Sequence, residues 1–316
     1  MPTVTTRIQT SSVQRDMLAG SFRAMLISIV TPCLNRAGFI AGSLESVRRQ
    51  DHRQVEHVIV DGGSTDGTLE ILHDHPDLRV LSEPDQGIYD ALNKGIGLAE
   101  GDVIGFLNTD DLYEPNVLGS VARAFDDEPQ TDAVVGGATV FSGSSDLIDL
   151  PPVPPGQLLA RATVGPPVFN AWFFRRALLE EMEGFDLRYR YVADRELLIR
   201  MAFRRISHIA LERKVYRYRM HPGSITLSGT ESGEAPYVFE MRELARSFLA
   251  SRTLARTERK LFRAWHSQIV MEQVLAAFHG RAYHRAARYA LGGIRHDPGL
   301  SIALARGFVD GLRRGG

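Results

Sequence analysis

The stretch Asp102-Val103-Ile104-Gly105-Phe106-Leu107-Asn108-Thr109-Asp110-Asp111 decides how this chain is read. Gly101 opens it, and the apolar run that follows is short, β-branched and aromatic, the pattern of a buried strand. The run ends in an amide and two adjacent carboxylates. Charges at the end of a buried strand are costly unless something uses them. A divalent cation is the natural user, because hard oxygen ligands suit Mg²⁺ or Mn²⁺, and a cation held there would in turn hold a diphosphate. The plainer alternative is a strand-end turn, in which Asn and Asp are common.

Three more strands precede this one in a regular rhythm. Leu26–Val30 runs into the polar loop Thr31–Arg36, and a helical pattern from Phe39 to Gln50 carries Ile40, Leu44 and Val47 on one face. Glu56–Val60 is a second strand. It stops at the Gly-rich turn Asp61–Thr68, where Asp66 or Thr68 can cap a helix over Leu69–His73. Arg79–Ser82 is a third strand, followed by a helix over Gly87–Ala99 with Ile88, Ala91, Leu92 and Ile96 together. This alternation predicts an α/β fold: a mainly parallel sheet with helices on both faces. In such sheets ligands bind beyond the carboxyl ends of the strands. Thr31–Arg36, Asp61–Asp66, Glu83–Gln86 and Asn108–Asp111 all fall on that rim and converge on a single site.

After Asp111 the pattern changes. Ala133–Gly137 and Phe169–Arg175 read as strands, and Leu150–Gly156, with four prolines, as an irregular connection. Ala177–Met182 is a short helix ended by Gly184, and Asp194–Phe203 is amphipathic through Leu197, Leu198 and Met201. Lys214–Met220 alternates basic and aromatic residues, as an edge strand does. Leu227–Pro236 is polar and Gly/Ser-rich, a domain boundary. From Tyr237 the chain reads as helical, with candidates Phe239–Ser251, Arg256–His279, Ala282–Ile294 and a last helix near Ile302–Leu312. Ala276, Ala277, Ala282, Ala286, Ala287 and Ala290 predict close antiparallel packing. The expected division is a disordered N-terminal extension over 1–24, an α/β domain over 25–226 and an α-helical domain over 234–316.

Composition narrows the function classes. With 316 residues, 44% hydrophobic, the chain can fill one large domain plus an appendage, or two domains. A formal net charge of -1 excludes a uniformly basic nucleic-acid binder. The charge is uneven: from Glu234 onward there are 14 Lys and Arg against 7 Asp and Glu, while the rest holds 23 basic and 31 acidic residues. A basic tail on an acidic body suits an anionic partner such as a membrane surface, or forms a solvated helical face. Cys33 is the single cysteine, so no intrachain disulfide forms and a reducing, cytoplasmic setting is expected. The first 24 residues lack the apolar core of a secretory signal, and no apolar run reaches membrane-spanning length.

Four motifs in this order carry a resemblance: Ser28-Ile29-Val30-Thr31-Pro32, Val60–Thr68, Glu83-Pro84-Asp85-Gln86-Gly87-Ile88-Tyr89-Asp90-Ala91-Leu92-Asn93-Lys94-Gly95, and Gly105–Asp111. From Leu26 to about Ser224 the chain resembles the family 2 inverting glycosyltransferases, which have the GT-A fold. The segment Gly87–Gly95 resembles the branch that builds bacterial surface polysaccharides. The resemblance implies that Thr31, Pro32 and Asp61 line a nucleoside pocket, with Asn35, Ser64 and Thr109 in the same donor-binding set. Asp61 can equally be a turn carboxylate serving the glycines after it. Asp85 and Lys94 would face sugar and diphosphate, or stand as solvated charges. Asp110 matches the metal-binding carboxylate, with Asn108 where another Asp often stands. Asp111 would assist, or bond a backbone amide.

Further along, Glu183-Gly184-Phe185-Asp186 resembles a turn near the acceptor. Val192-Ala193-Asp194 resembles the segment whose Asp is the catalytic base, although Asp194 also suits a helix N-cap. A helix start would lower its pKa. Arg219-Met220-His221-Pro222-Gly223-Ser224 resembles the motif whose His approaches the metal or diphosphate, and Arg217 and Arg219 would contact the diphosphate or decorate an edge strand. Pro166–Asn170 departs from the His-Gln expected before the aromatic run. The implied activity is a metal-dependent transfer from a nucleotide sugar, UDP-linked ahead of GDP-linked, to a saccharide or lipid-linked acceptor at the inner membrane face, with Mn²⁺ or Mg²⁺. The basic tail would dock on lipid, form a homo-oligomer or pack on the core. The rival readings are a sugar nucleotidyltransferase, which needs a Gly-rich loop that Thr31–Arg36 lacks, and a nucleotide-sugar-binding scaffold without turnover.

Overall fold

A computed structural model describes residues 24–221 and 235–296. The N-terminal extension, the boundary at 227–234 and the helix near 302–312 lie outside these residues.

The apolar runs form the strands expected of them. Strands β1 (Ile27–Cys33), β2 (Val55–Asp61), β3 (Arg79–Ser82) and β4 (Val103–Phe106) alternate with helices α1 (Ile40–Arg48), α2 (Thr68–His73) and α3 (Ile88–Leu98). They pair in parallel in the order β3-β2-β1-β4, so their carboxyl ends share one rim. Alternate residues face opposite sides. Val30, Val58, Val60, Ile104 and Phe106 pack under α3, while Ile27, Ile29 and Val103 pack on the other face with Val47 of α1. Helix α3 lies so close to β1 that a Cβ at Gly95 would collide with Val30.

Beyond β4 the sheet becomes mixed. The remaining elements are β5 (Leu112–Tyr113), α4 (Val117–Asp127), β6 (Ala133–Ser142), β7 (Ser145–Leu150), α5 (Leu158–Thr163), a 3₁₀ turn at Phe169–Ala171, β8 (Trp172–Arg175), α6 (Arg176–Glu181), α7 (Ala193–Arg204) and β9 (His208–Arg219). The order continues β4-β8-β6-β9-β5, with β8 antiparallel to both neighbours. Strand β9 is not the edge its alternation suggested. It runs parallel to β6 and carries β5 on its other side at Tyr216 and Arg217. Its basic residues lie flat on an aromatic face, with the Arg217 and Arg219 guanidiniums 4.7 and 4.6 Å from the Phe141 ring.

The tail forms α8 (Pro236–Ala250), α9 (Arg256–His279) and α10 (Tyr283–His296). Its first two helices pack on the α/β core. Val238, Leu244 and Ala245 of α8 and Phe262, Trp265 and Ile269 of α9 share one buried cluster with Leu197, Leu198 and Met201 of α7. Phe203 stacks on both Phe248 and Phe262. Ala277, Ala282 and Ala286 are buried where α9 meets α10, as the small residues predicted, whereas Ala287 is exposed. No helix among the described residues is long and apolar enough to cross a membrane.

Candidate active site

The loops on the carboxyl rim are stitched together by side chains. Asn35, in the left-handed conformation at φ 53°, donates its N–H to Ser64 Oγ (2.7 Å) and accepts the Thr65 N–H on Oδ1 (2.9 Å). The N–H of Arg36 donates to Thr68 Oγ1 at 2.8 Å and that of Ala37 to Asp66 Oδ2 at 3.1 Å. Asp85 accepts the Gly87 N–H at 2.8 Å and lies over Gly62, where a Cβ would strike its carboxylate.

Several residues expected to face a ligand are placed inside this framework. Asp61 is fully buried. It accepts the N–H groups of Gly63 and Ser64, both at 3.0 Å, and the hydroxyls of Ser64 and Ser82. Burial pushes its pKa up, and these hydrogen bonds outweigh it, leaving the carboxylate below its ordinary value. Of the two roles open to Asp61, this is the turn role. Thr31 is also fully buried, with its hydroxyl 2.9 Å from the His57 ring, and Pro32 is buried beside it. The Lys94 ammonium closes the third loop rather than reaching the fourth. It binds Glu83 (2.8 Å), the Pro84 carbonyl (2.9 Å) and Asp90 (3.5 Å). Cys33 is buried, and burial followed by the charge of Asp61 pushes its thiol up to about 12, so it is no nucleophile.

At the end of β4 the two carboxylates part company. Asp111 is buried and accepts the Tyr216 hydroxyl (2.6 Å), the Arg219 N–H (2.7 Å) and the Asn108 amide (3.2 Å). Burial, then the charge of Asp110, pushes it up to about 7. Asp111 therefore takes the backbone-amide alternative and ties the end of β9 to the end of β4. Asn108 serves this clasp, and Thr109 is buried behind it. Asp110 points the other way, half-buried, with Oδ2 3.0 Å from His221 Nε2. Arg219 Nε donates to the Asp110 carbonyl at 2.7 Å. Phe39, at the mouth of α1, stacks on the His221 ring with centroids 5.1 Å apart.

The oxygen and nitrogen donors of Asp110 and His221 converge, and this pair suits Mn²⁺ better than Mg²⁺, which prefers oxygen throughout. Among the described residues no three His, Cys, Asp or Glu groups converge. Two protein ligands leave the coordination of a cation incomplete, so a cation held here would need further ligands from outside the chain.

The second candidate carboxylate is Asp194, in the first turn of α7. Its Oδ1 accepts the Arg195 N–H at 2.7 Å and lies 3.0 Å from the Tyr89 hydroxyl. Tyr89 stands in the first turn of α3, just past the third rim loop, so Asp194 is held at the same rim as Asp110. The helix start was expected to lower its pKa. Burial instead raises it, outweighing the Arg195 and Tyr89 contributions. A carboxylate held above its ordinary value is the stronger base.

Gly184 belongs to the framework behind Asp194. It has φ 63°, and a Cβ there would strike Asn93. Asn93 grips the Phe185 backbone twice, at 2.8 and 2.9 Å, and Arg200 reaches the Met182 and Gly184 carbonyls. Tyr89, Phe39 and Asn93 were not singled out from the sequence. The available signal for Tyr89 was a phenol on the apolar face of α3, because a buried hydroxyl needs a partner.

Comparisons with known proteins give the family and the fold. The family described as Glycosyl transferase family 2 matches residues 28–183. A PGL/p-HBAD biosynthesis glycosyltransferase of Mycobacterium tuberculosis is 36% identical over 189 residues, 56% of this chain and 70% of the relative. The chain belongs to glycosyltransferase family 2. Staphylococcus aureus TarS 1-349 in complex with UDP-GlcNAc superposes with a TM-score of 0.61 at 19% identity, covering 89% of this chain and 84% of that one. This chain spans 44% of a longer TarS chain. The mannosyltransferase PcManGT of Pyrobaculum calidifontis, in complex with GDP-Man and Mn²⁺, gives 0.57 at 19% identity, covering 92% and 81%. At these identities the two structures share the fold, which is the GT-A fold expected from the motifs.

Proposed function

We propose that this chain is a metal-dependent inverting glycosyltransferase. It moves a sugar from a nucleotide-sugar donor, UDP-linked ahead of GDP-linked, to a saccharide or lipid-linked acceptor in cell-surface polysaccharide or glycolipid assembly. The observation that carries the reading is the pair of carboxylates on one rim. Asp110 faces His221 and Arg219, and Asp194 is half-buried with a raised pKa beside Tyr89 of α3.

Asp194 takes the proton of the acceptor hydroxyl while that oxygen bonds to the anomeric carbon. The bond from that carbon to the phosphate oxygen breaks on the opposite face, and the nucleoside diphosphate leaves with the electron pair. Asp110 and His221 would hold a divalent cation, which when bound neutralises the leaving diphosphate. Arg219, whose Nε donates to the Asp110 carbonyl and whose guanidinium stacks on Phe141, adds positive charge beside the same site.

The basic tail supports a peripheral membrane contact. On α10, Tyr283 is 57% and Leu291 66% exposed, and Arg288 is exposed with them.

The test pairs two variants in a thermal-shift and turnover assay with UDP- and GDP-sugars and Mn²⁺. Asp194→Asn should keep donor-dependent stabilisation and lose turnover by about 100-fold or more. Asp110→Asn should lose the Mn²⁺-dependent part of the stabilisation. Unchanged turnover in Asp194→Asn would favour another base, and donor binding without turnover in the wild type would favour the scaffold reading.

A further inference from the structure

The segment that carries Asp194 is gripped from two sides by groups outside the reaction. From α8, Glu240 accepts the N–H of Arg190 on one oxygen (2.9 Å) and the N–H of Tyr191 on the other (2.7 Å). From α3, the Tyr89 hydroxyl lies 3.1 Å from the Tyr191 carbonyl and 3.0 Å from Asp194 Oδ1. Arg195, the next residue, donates to the carbonyls of Ala162, Thr163 and Gly165, with its guanidinium 5.4 Å from the Trp265 ring of α9. The side-chain hydrogen bonds to the backbone of Arg190 and Tyr191 thus lead to α3 and to α8.

Tyr89 has one proton and two acceptors. With Asp194 ionised, the proton points to the carboxylate. Oδ1 already accepts the Tyr89 hydroxyl and the Arg195 N–H, so the acceptor's proton goes to Oδ2. No net proton moves onto Tyr89, which holds Oδ1 in both states. The Tyr191 backbone beside the Tyr89 hydroxyl is held in turn by Glu240 through its N–H. Tyr89 is suited to the part because burial, then the charge of Asp194, keeps its phenol protonated.

We propose that Tyr89 and Glu240 are positioning residues for Asp194, and that the C-terminal helices set the geometry of the base through Glu240 and the Tyr191 backbone. The inference rests on Asp194 being the base. The charged groups around it are Arg195 from its own helix, Glu240 from α8 and Glu272 from α9.

The test uses the full chain. Titration of the Asp194 carboxyl carbon by NMR, assigned through Asp194→Asn, needs no substrate. Tyr89→Phe keeps the ring and removes the donor, so the Asp194 midpoint should rise by about half a pH unit or more. Glu240→Gln retains one acceptor and should move the midpoint in part. With whichever of UDP-glucose, UDP-N-acetylglucosamine or GDP-mannose is turned over, kcat should fall about 10-fold in Tyr89→Phe, donor KM should stay within about twofold, and the acid limb of the pH profile should move with the midpoint. An unmoved midpoint in Tyr89→Phe overturns the inference, and this variant decides if Glu240→Gln fails to fold. Loss of turnover in Asp194→Asn with unmoved midpoints overturns the positioning role alone. Full turnover in Asp194→Asn removes the base reading beneath it.

Discussion

Acidification should destabilise this protein through His57. The imidazole is buried on β2 against the Thr31 hydroxyl. Burial, with a smaller contribution from His75 and an opposing one from Asp77, lowers its pKa from 6.5 to about 4. The unfolded chain binds this proton near pH 6.5 and the folded chain does not, so protons favour unfolding. The stabilisation is complete above pH 6.5 and disappears as pH falls toward 4. A shift of this size corresponds to about 2 kcal/mol lost by pH 5 and about 3 kcal/mol by pH 4. Urea unfolding at pH 7.5, 6, 5 and 4.5, on the wild type and on His57→Gln, isolates the effect. Gln can still bond Thr31 but does not titrate. His57→Gln should start less stable at pH 7.5 and lose about 2 kcal/mol less than the wild type by pH 5. Parallel pH curves for the two proteins would refute the argument and show that His57 is protonated in the fold.

Two further outcomes follow from packing and surface charge. Gly95→Ala places a methyl against Val30 and should cost about 1–3 kcal/mol of stability, measured by thermal unfolding, without altering the Mn²⁺ dependence of nucleotide binding. Arg288→Glu on the outer face of α10 should reduce co-sedimentation with vesicles containing anionic phosphatidylglycerol, and a wild type that ignores such vesicles would rule out the lipid contact.

The parallel half of the sheet was legible because β1 and β4 are buried on both faces and read as apolar runs. β9 misled because alternating Arg and Tyr residues look like an edge, whereas the arginine stems lie on Phe141 from the neighbouring strand. β5, two residues long, has no periodicity to read. In the site, Asp110 and Asp194 were visible as carboxylates at element ends. The partners of Thr31 and Lys94 were not, and for Asp61 the turn role stood open beside the ligand role, because each depends on a partner that the fold supplies, such as His57 for Thr31 and Ser82 for Asp61. The Tyr89–Asp194 pair spans 105 residues and the Glu240–Tyr191 pair 49, separations at which local pattern carries no information.

The core that α7 shares with α8 and α9 limits how the chain can be cut or recombined. Leu197, Leu198 and Met201 bury their side chains partly against the tail, and Arg195 rests on Trp265. A truncation before Pro236 would open an apolar surface directly behind Asp194, a face prone to aggregation. The same coupling means that a helical tail transplanted from a relative has to bring its own matches for Glu240, Phe262 and Trp265.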